Sequence, residues 1–197
     1  MDEKALIDAA CRGDVGSFNQ LVLNYQSMAY NLAYRILGNR DAAADATQDA
    51  FLSVFKAIGK FRGGSFKAWL LRIVTNACYD QLRLKQRRPA TSLDALLVLE
   101  SAPVQSLTDP GESPEEYAVR QELNRAIQVG IGTLPPEQRI ALVLSDVQGL
   151  SYQEIAEVTG ASLGTVKSRL SRARSKLRDF LLEQRELLPS QYRLKNE

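Results

Sequence analysis

The chain contains no histidine and, among 197 residues, only two cysteines, Cys11 and Cys78. A disulfide framework, a Cys/His zinc site and any histidine-based acid–base mechanism therefore lack their material. No nucleophile–base pair or metal cluster stands out in their place, so neither an enzyme nor a cofactor is expected. The two cysteines read as small apolar core residues. Long hydrophobic runs are also missing: none approaches the roughly 20 residues that span a bilayer. The opening "MDEKALIDAACRGD" carries acids where a signal peptide needs positive charge. The expectation is a soluble, cytoplasmic protein. Alternating apolar and polar residues, the mark of a half-buried strand, are absent as well.

What is present is charge, unevenly placed. The net charge is only +2, yet from Phe61 to Arg88 seven bases (Arg62, Lys67, Arg72, Arg83, Lys85, Arg87, Arg88) face one acid, Asp80. From Pro89 to Glu116 there are six acids (Asp94, Glu100, Asp109, Glu112, Glu115, Glu116) and no base. Further on, six cations fall within the twelve positions from Lys167 to Arg178. Two basic regions separated by an acidic, Pro- and Ser-containing stretch suggest two modules that bind a polyanion, joined by a linker.

Helical periodicity runs through nearly all of the rest. Phe18, Leu21, Val22, Tyr25, Leu32 and Ile36 mark one apolar face, and Phe66, Trp69, Leu70, Ile73, Val74 and Ala77 another. Breaks fall at "GNR", "FRGGS", "RRPATS", "TDPGESPEE", "TLPPEQ" and "TGAS". The fold class is all-α: two small helical domains, 1–88 and 114–182, joined by an acidic linker over 89–113. That linker contains an apolar patch, "LDALLVL", long enough for a short helix. The tail 183–197 has room to extend the last helix to Leu188 before Pro189 stops it.

The second basic region has a recognisable frame. Ser151 is an N-cap with Glu154 three residues on, Ile155, Ala156 and Val158 make a short apolar helix, and Gly160 ends it. A second helix begins after Ser162. This is a helix-turn-helix arrangement. In the second helix Leu163, Val166, Leu170, Ala173 and Leu177 form one stripe. Thr165, Ser168, Arg169, Arg172 and Lys176 fall opposite, with Lys167, Arg174 and Arg178 at the flanks. Such donors suit a major groove, where Arg or Lys reads guanine edges. A basic amphipathic helix alone would equally suit an anionic membrane surface; the preceding helix and turn favour DNA.

The first basic region follows another pattern. On a helix from Ser65 to Gln86, Trp69, Arg72, Asn76, Tyr79 and Arg83 line one side. Cation, amide and ring in a row suit single-stranded nucleic acid, whose bases stack and whose backbone meets arginine. Core-edge aromatics beside solvated arginines give the same pattern. A third stretch, "DAAADATQDAFLSVFKAI", sets Asp41, Asp45, Gln48 and Asp49 on one flank. It reads either as a face for a basic protein partner or as ordinary solvated surface.

Together these segments resemble the extracytoplasmic-function (ECF) sigma factors of bacterial RNA polymerase. The resemblance runs from about residue 14 to 182. It rests on Asp45-x-x-Gln48-Asp49-x-Phe51, on "FRGGSFKAWLLRIVTNACYDQLRLKQRR", and on "LPPEQRIALVLSDVQGLSYQEIAEVTGASLGTVKSRLSRARSKL", in that order. It implies that residues 1–88 are sigma region 2 and 114–182 sigma region 4. Asp45, Gln48, Asp49 and Phe51 would dock on the clamp helices of the largest polymerase subunit, Asp49 standing where relatives more often have glutamate. Arg62, Ser65, Trp69, Arg72, Asn76, Tyr79 and Arg83 would bind and melt the −10 element, the "RGGS" loop holding a flipped base. Thr165, Lys167, Ser168, Arg169, Arg172 and Lys176 would read the −35 element. The implied partners are RNA polymerase core, duplex and single-stranded promoter DNA, and an anti-sigma factor that could hold the protein at a membrane. Two other readings use the same features: a helix-turn-helix regulator that works without polymerase, and a decoy that binds polymerase and initiates nothing.

Overall fold

The computed structural model describes residues 2–87 and 113–183, and every regular element among them is helical. Met1, residues 88–112, which hold the apolar patch and most of the acidic segment, and the tail beyond Glu183 lie outside the described residues. None of the described helices is long and apolar enough to cross a membrane.

The first half is built from α1 (Glu3–Cys11), α2 (Val15–Leu37), α3 (Arg40–Ala57), a single 3-10 turn (Ile58–Lys60) and α4 (Phe66–Arg87). Each boundary has a local cause. Asp14 caps α2 by accepting the Ser17 amide at 2.8 Å, and Gly38, at φ 69°, takes the left-handed conformation that ends it. One residue later Asn39 starts α3 by accepting the Ala42 amide at 2.8 Å. Ala43, Ala46 and Ala50 are fully buried along α3, as are Ala29 and Ala33 on α2, and the two helices pack on each other. Small side chains at these spacings let the helix axes approach closely. Leu21, Leu32, Ile36, Leu70 and Leu71 fill the remaining space. Each such side chain contributes about 1.5–3 kcal/mol on burial.

The second half holds α5 (Pro114–Thr133), α6 (Pro136–Leu142) with a π-helical continuation (Val143–Val147), α7 (Tyr152–Thr159) and α8 (Leu163–Glu183). Ser113 and Glu116 form a reciprocal capping box at the start of α5, and Ser151 and Glu154 another at the start of α7. Ile131, Leu134, Ile140, Leu144, Ile155 and Leu170 are its buried centre. Gly130 makes the packing of α5 on α8 possible: a Cβ there would lie 2.6 Å from Leu177 Cδ1 and 2.7 Å from Phe180 Cδ1.

The two halves are in contact. α5, α6 and the π-helical turn pack on α2, while α7 packs on α4. Arg139 of α6 donates to the carbonyls of Ile36, Gly132 and Leu134. Arg35 donates to Gln128 Oε1 at 3.1 Å. Burial lowers the pKa of both guanidinium groups from the usual arginine value.

The packing on α4 changes one expectation. Its buried face consists of Phe66, Leu70, Leu71, Val74, Thr75 and Cys78, whereas Trp69, Ile73 and Ala77 are only partly buried. The apolar pattern places a single stripe on this helix. The observed face is wider and rotated, because α4 is covered by α2 and α3 and by α7 as well. Cys78 is the core residue expected of it, with burial pushing its thiol up to about 12. Cys11 is half-buried and donates its S–H to the Ile58 carbonyl at 3.2 Å.

Candidate nucleic-acid interface

The helix-turn-helix is formed by α7 and α8. Gly160, at φ 66°, provides the left-handed turn between them, and the Ser162 hydroxyl accepts the Thr165 amide at 3.1 Å to start α8. Val166, Leu170 and Ala173 are buried. Leu177 is partly buried, and Leu163, the first residue of the predicted stripe, is 43% exposed. Opposite that stripe Ser168, Arg172 and Lys176 are exposed, as is Lys167 at its flank. Two of the predicted groups are already engaged within the helix: Thr165 shares a hydrogen bond with Ser162, and Ser168 Oγ donates to the Thr165 carbonyl.

Arg174, at the flank, is held by both oxygens of Asp146, Nη2 to Oδ1 at 2.5 Å and Nε to Oδ2 at 3.0 Å. The Arg174 hydrogen bonds hold the Asp146 carboxyl below the usual aspartate value against the opposing effect of burial. This bidentate pair ties α8 to the π-helical turn and fixes its direction. Charge patterning placed Arg174 at the edge of the stripe but carried no sign of its partner, 28 positions upstream.

On α4 the exposed row is Arg72, Asn76 and Arg83. Arg83 makes a 3.6 Å pair with Asp80 that is open to solvent. The aromatic members behave differently. Trp69 packs with Phe61 and Phe66, ring centroids 5.2 and 5.7 Å away, and so serves as an edge of the core. Tyr79 donates its hydroxyl to Glu137 Oε2 at 3.0 Å; burial first, then the Glu137 charge, pushes its pKa up to about 12. Before α4 begins, Gly63 and Gly64 both have positive φ, 91° and 88°. That backbone turns the loop sharply and leaves Arg62 exposed. Ser65 Oγ accepts the Ala68 amide at 3.1 Å and caps the helix.

The third group lies on α3. Asp45, Gln48 and Asp49 are exposed and Phe51 is half-buried. Gln48 and Phe51 line a shallow groove between α2 and α3, with Val22, Gln26, Tyr30 and Arg40 on its other walls. Its lining mixes apolar side chains with amides and a charge.

Sequence reasoning missed Arg139 and Glu137. The clue to the arginine was its place in "LPPEQRIALVL", a cation entering a run of core residues. For Glu137 no local signal existed, since its partners, the Tyr79 hydroxyl and the Arg169 guanidinium at 2.8 Å, are remote in sequence.

Comparison with known proteins gives these groups a family context. Residues 21–88 match the family model for Sigma-70 region 2, and residues 124–177 that for Sigma-70 region 4. The chain is 38% identical to the ECF RNA polymerase sigma factor SigE of Mycolicibacterium smegmatis, over 84% of this chain and 62% of that protein. It thus spans less than two thirds of that relative, though 90% of the RNA polymerase sigma-H factor of Pseudomonas aeruginosa, with 37% identity over 87% of this chain. It is 33% identical to the ECF RNA polymerase sigma-E factor of Escherichia coli, over 88% of this chain and 91% of the relative. Among solved structures it is similar to the sigma factor RpoE of Bartonella quintana in complex with the anti-sigma factor NepR. The TM-score is 0.64 and the identity 27%, covering 85% of this chain and 98% of that one. It is equally similar to CnrH in complex with the cytosolic domain of CnrY, with TM-score 0.64 and 29% identity, covering 91% and 96%. An all-helical chain with region 2 and region 4 in order, and full-length relatives above 30% identity, belongs to the ECF sigma factors of bacterial RNA polymerase.

Proposed function

We propose that this protein binds RNA polymerase core in the cytoplasm and carries two promoter-reading modules, one for each element. The observation that carries the reading is the pairing, in one chain, of two different exposed donor rows. Lys167, Arg172 and Lys176 stand on a helix mounted by a capped turn, and Arg72, Asn76 and Arg83 stand on a second helix beside a glycine loop.

The chemistry follows from these rows. The α8 row would enter the major groove at the −35 element, with Arg172 as the base-reading residue and Lys167 and Lys176 on phosphates. Arg169 would join them once released from its ion pair with Glu137. The α4 row and the Arg62–Ser65 loop would meet the −10 element as it opens. Flipping one base out of the stack costs a few kcal/mol, which pocket contacts and single-strand interactions of about 1–3 kcal/mol per base offset. The chain itself needs no covalent chemistry for this. The α2–α3 groove, with Asp45, Gln48, Asp49 and Phe51, would seat the polymerase clamp. An anti-sigma partner, as in the related complexes, would compete for these same surfaces.

The three assignments separate experimentally. Replacing Asp45 and Asp49 together by alanine should weaken binding to core polymerase and leave duplex DNA binding by the free protein unchanged. Equal core binding by this variant would remove α3 from the contact.

A further inference from the structure

Glu137 links the two candidate promoter-reading faces. It lies in the first turn of α6, and one of its oxygens, Oε2, does two things: it accepts the Tyr79 hydroxyl of α4 at 3.0 Å and pairs with Arg169 Nη2 of α8 at 2.8 Å. The Arg169 side chain is consequently only 25% exposed. Beside this bridge Lys67 of α4 donates its ammonium to the Gln148 carbonyl at 2.7 Å, and α7 rests on α4. Tyr79 and Arg169, each among the residues expected to contact promoter DNA, are thus paired within the chain, and so is Lys67 beside them. A carboxylate oxygen held between an arginine and a hydroxyl offers the same chemistry as a phosphate oxygen.

The geometry points to an internal latch: Glu137 acts as a stand-in for DNA, holding the two halves together and occupying promoter-binding groups until nucleic acid or polymerase displaces it. The inference rests on the functional reading above and adds its regulation. The latch is built to open. Its contacts are part-exposed, and a pair of that kind shifts an equilibrium by about two- to fivefold. The apparent affinity for DNA is lowered by the fraction of molecules that are closed, so weakening the latch should raise affinity in proportion.

The test uses the full chain, without polymerase, and a short mixed-sequence DNA duplex. Tyr79→Phe removes one latch contact, changes no charge, and lies in the half that does not carry the duplex-reading helix. It should raise duplex affinity by about two- to fivefold. Glu137→Gln should raise it more than Glu157→Gln, a charge-matched change on the exposed surface of α7. The double variant Tyr79→Phe/Glu137→Ala should do no more than Glu137→Ala alone, because alanine leaves the Tyr79 hydroxyl no acceptor there. Circular dichroism confirms that each variant is folded. Unchanged or weaker binding by Tyr79→Phe, or equal effects of Glu137→Gln and Glu157→Gln, would overturn the latch. Promoter-directed transcription by the wild-type chain with core polymerase is read separately. If transcripts appear and Tyr79→Phe has no effect on duplex binding, the latch alone fails. If Tyr79→Phe raises affinity and no transcript ever appears, the latch stands and the initiation reading fails.

Discussion

Arg139 Nη1 donates to the Ile36 carbonyl at 2.6 Å, so a side chain from α6 satisfies the last turn of α2, in the other half of the molecule. Its Nη2 serves Gly132 and Leu134, at the end of α5. Three carbonyls that no intrahelical amide reaches are thus met by one guanidinium. Arg139→Ala should cost about 2 kcal/mol or more, because hydrogen bonds to a charged donor are lost and two of the acceptors, the Ile36 and Leu134 carbonyls, stay part-buried. Arg139→Lys should recover only part, since a single ammonium lacks the planar fork. Midpoints of urea unfolding measure both.

Arg172→Ala tests base reading on α8. The side chain is exposed, so stability should hardly change. Binding to the −35 element should weaken by roughly 1–3 kcal/mol, as expected for loss of a bidentate base contact. Fluorescence anisotropy on specific and scrambled duplexes decides the matter: equal weakening on both would reassign Arg172 to phosphate.

Asn76→Ala separates recognition from folding in the first half. Asn76 is exposed beside Thr75, which is fully buried. The substitution should leave thermal stability and core-polymerase binding intact while slowing promoter opening, followed by permanganate reactivity of unpaired thymines. A large loss of stability would show that Asn76 is structural.

Acid stability follows from the carboxylates. Asp14, Asp146, Glu116 and Glu154 all sit below the ordinary carboxylate values of 3.8 for aspartate and 4.5 for glutamate, held there chiefly by hydrogen bonds from Ser17, Arg174, Ser113 and Ser151. Depressed folded values mean stabilisation that is present above the unfolded pKa and lost as pH falls through the folded one. Unfolding free energy should therefore decline as pH drops below about 4.5 and continue to fall beneath 3.8. With no histidine in the chain, it should stay nearly flat between about pH 6 and 8. Denaturant titrations across that range measure the profile.

Local signals in the sequence were reliable where the physics was local. Ser151 and Glu154 form the capping box their spacing predicts, Gly160 turns the chain, and Val166, Leu170 and Ala173 face inward. Asp45, Gln48 and Asp49 are on the surface as their flank implied. Trp69 shows the limit, because periodicity cannot distinguish a ring offered to a base from one packed on Phe61 and Phe66. Glu137 shows it more sharply. Its meaning comes from Tyr79, 58 positions upstream, and from Arg169 across a helix interface. Contacts between the halves leave no period in either one. The breadth of the buried face of α4 was hidden for the same reason, since α7 covers part of it from the other half.

Run-off transcription with purified bacterial core polymerase, with and without this protein, on a pool of promoter fragments whose transcripts are sequenced, is the most direct test. Transcripts should begin only when the protein is present, downstream of a shared two-element motif, and should weaken with Arg172→Ala. Tight, sequence-specific binding to duplex DNA with no such transcripts, from a core enzyme shown to be competent with another initiation factor, would contradict it.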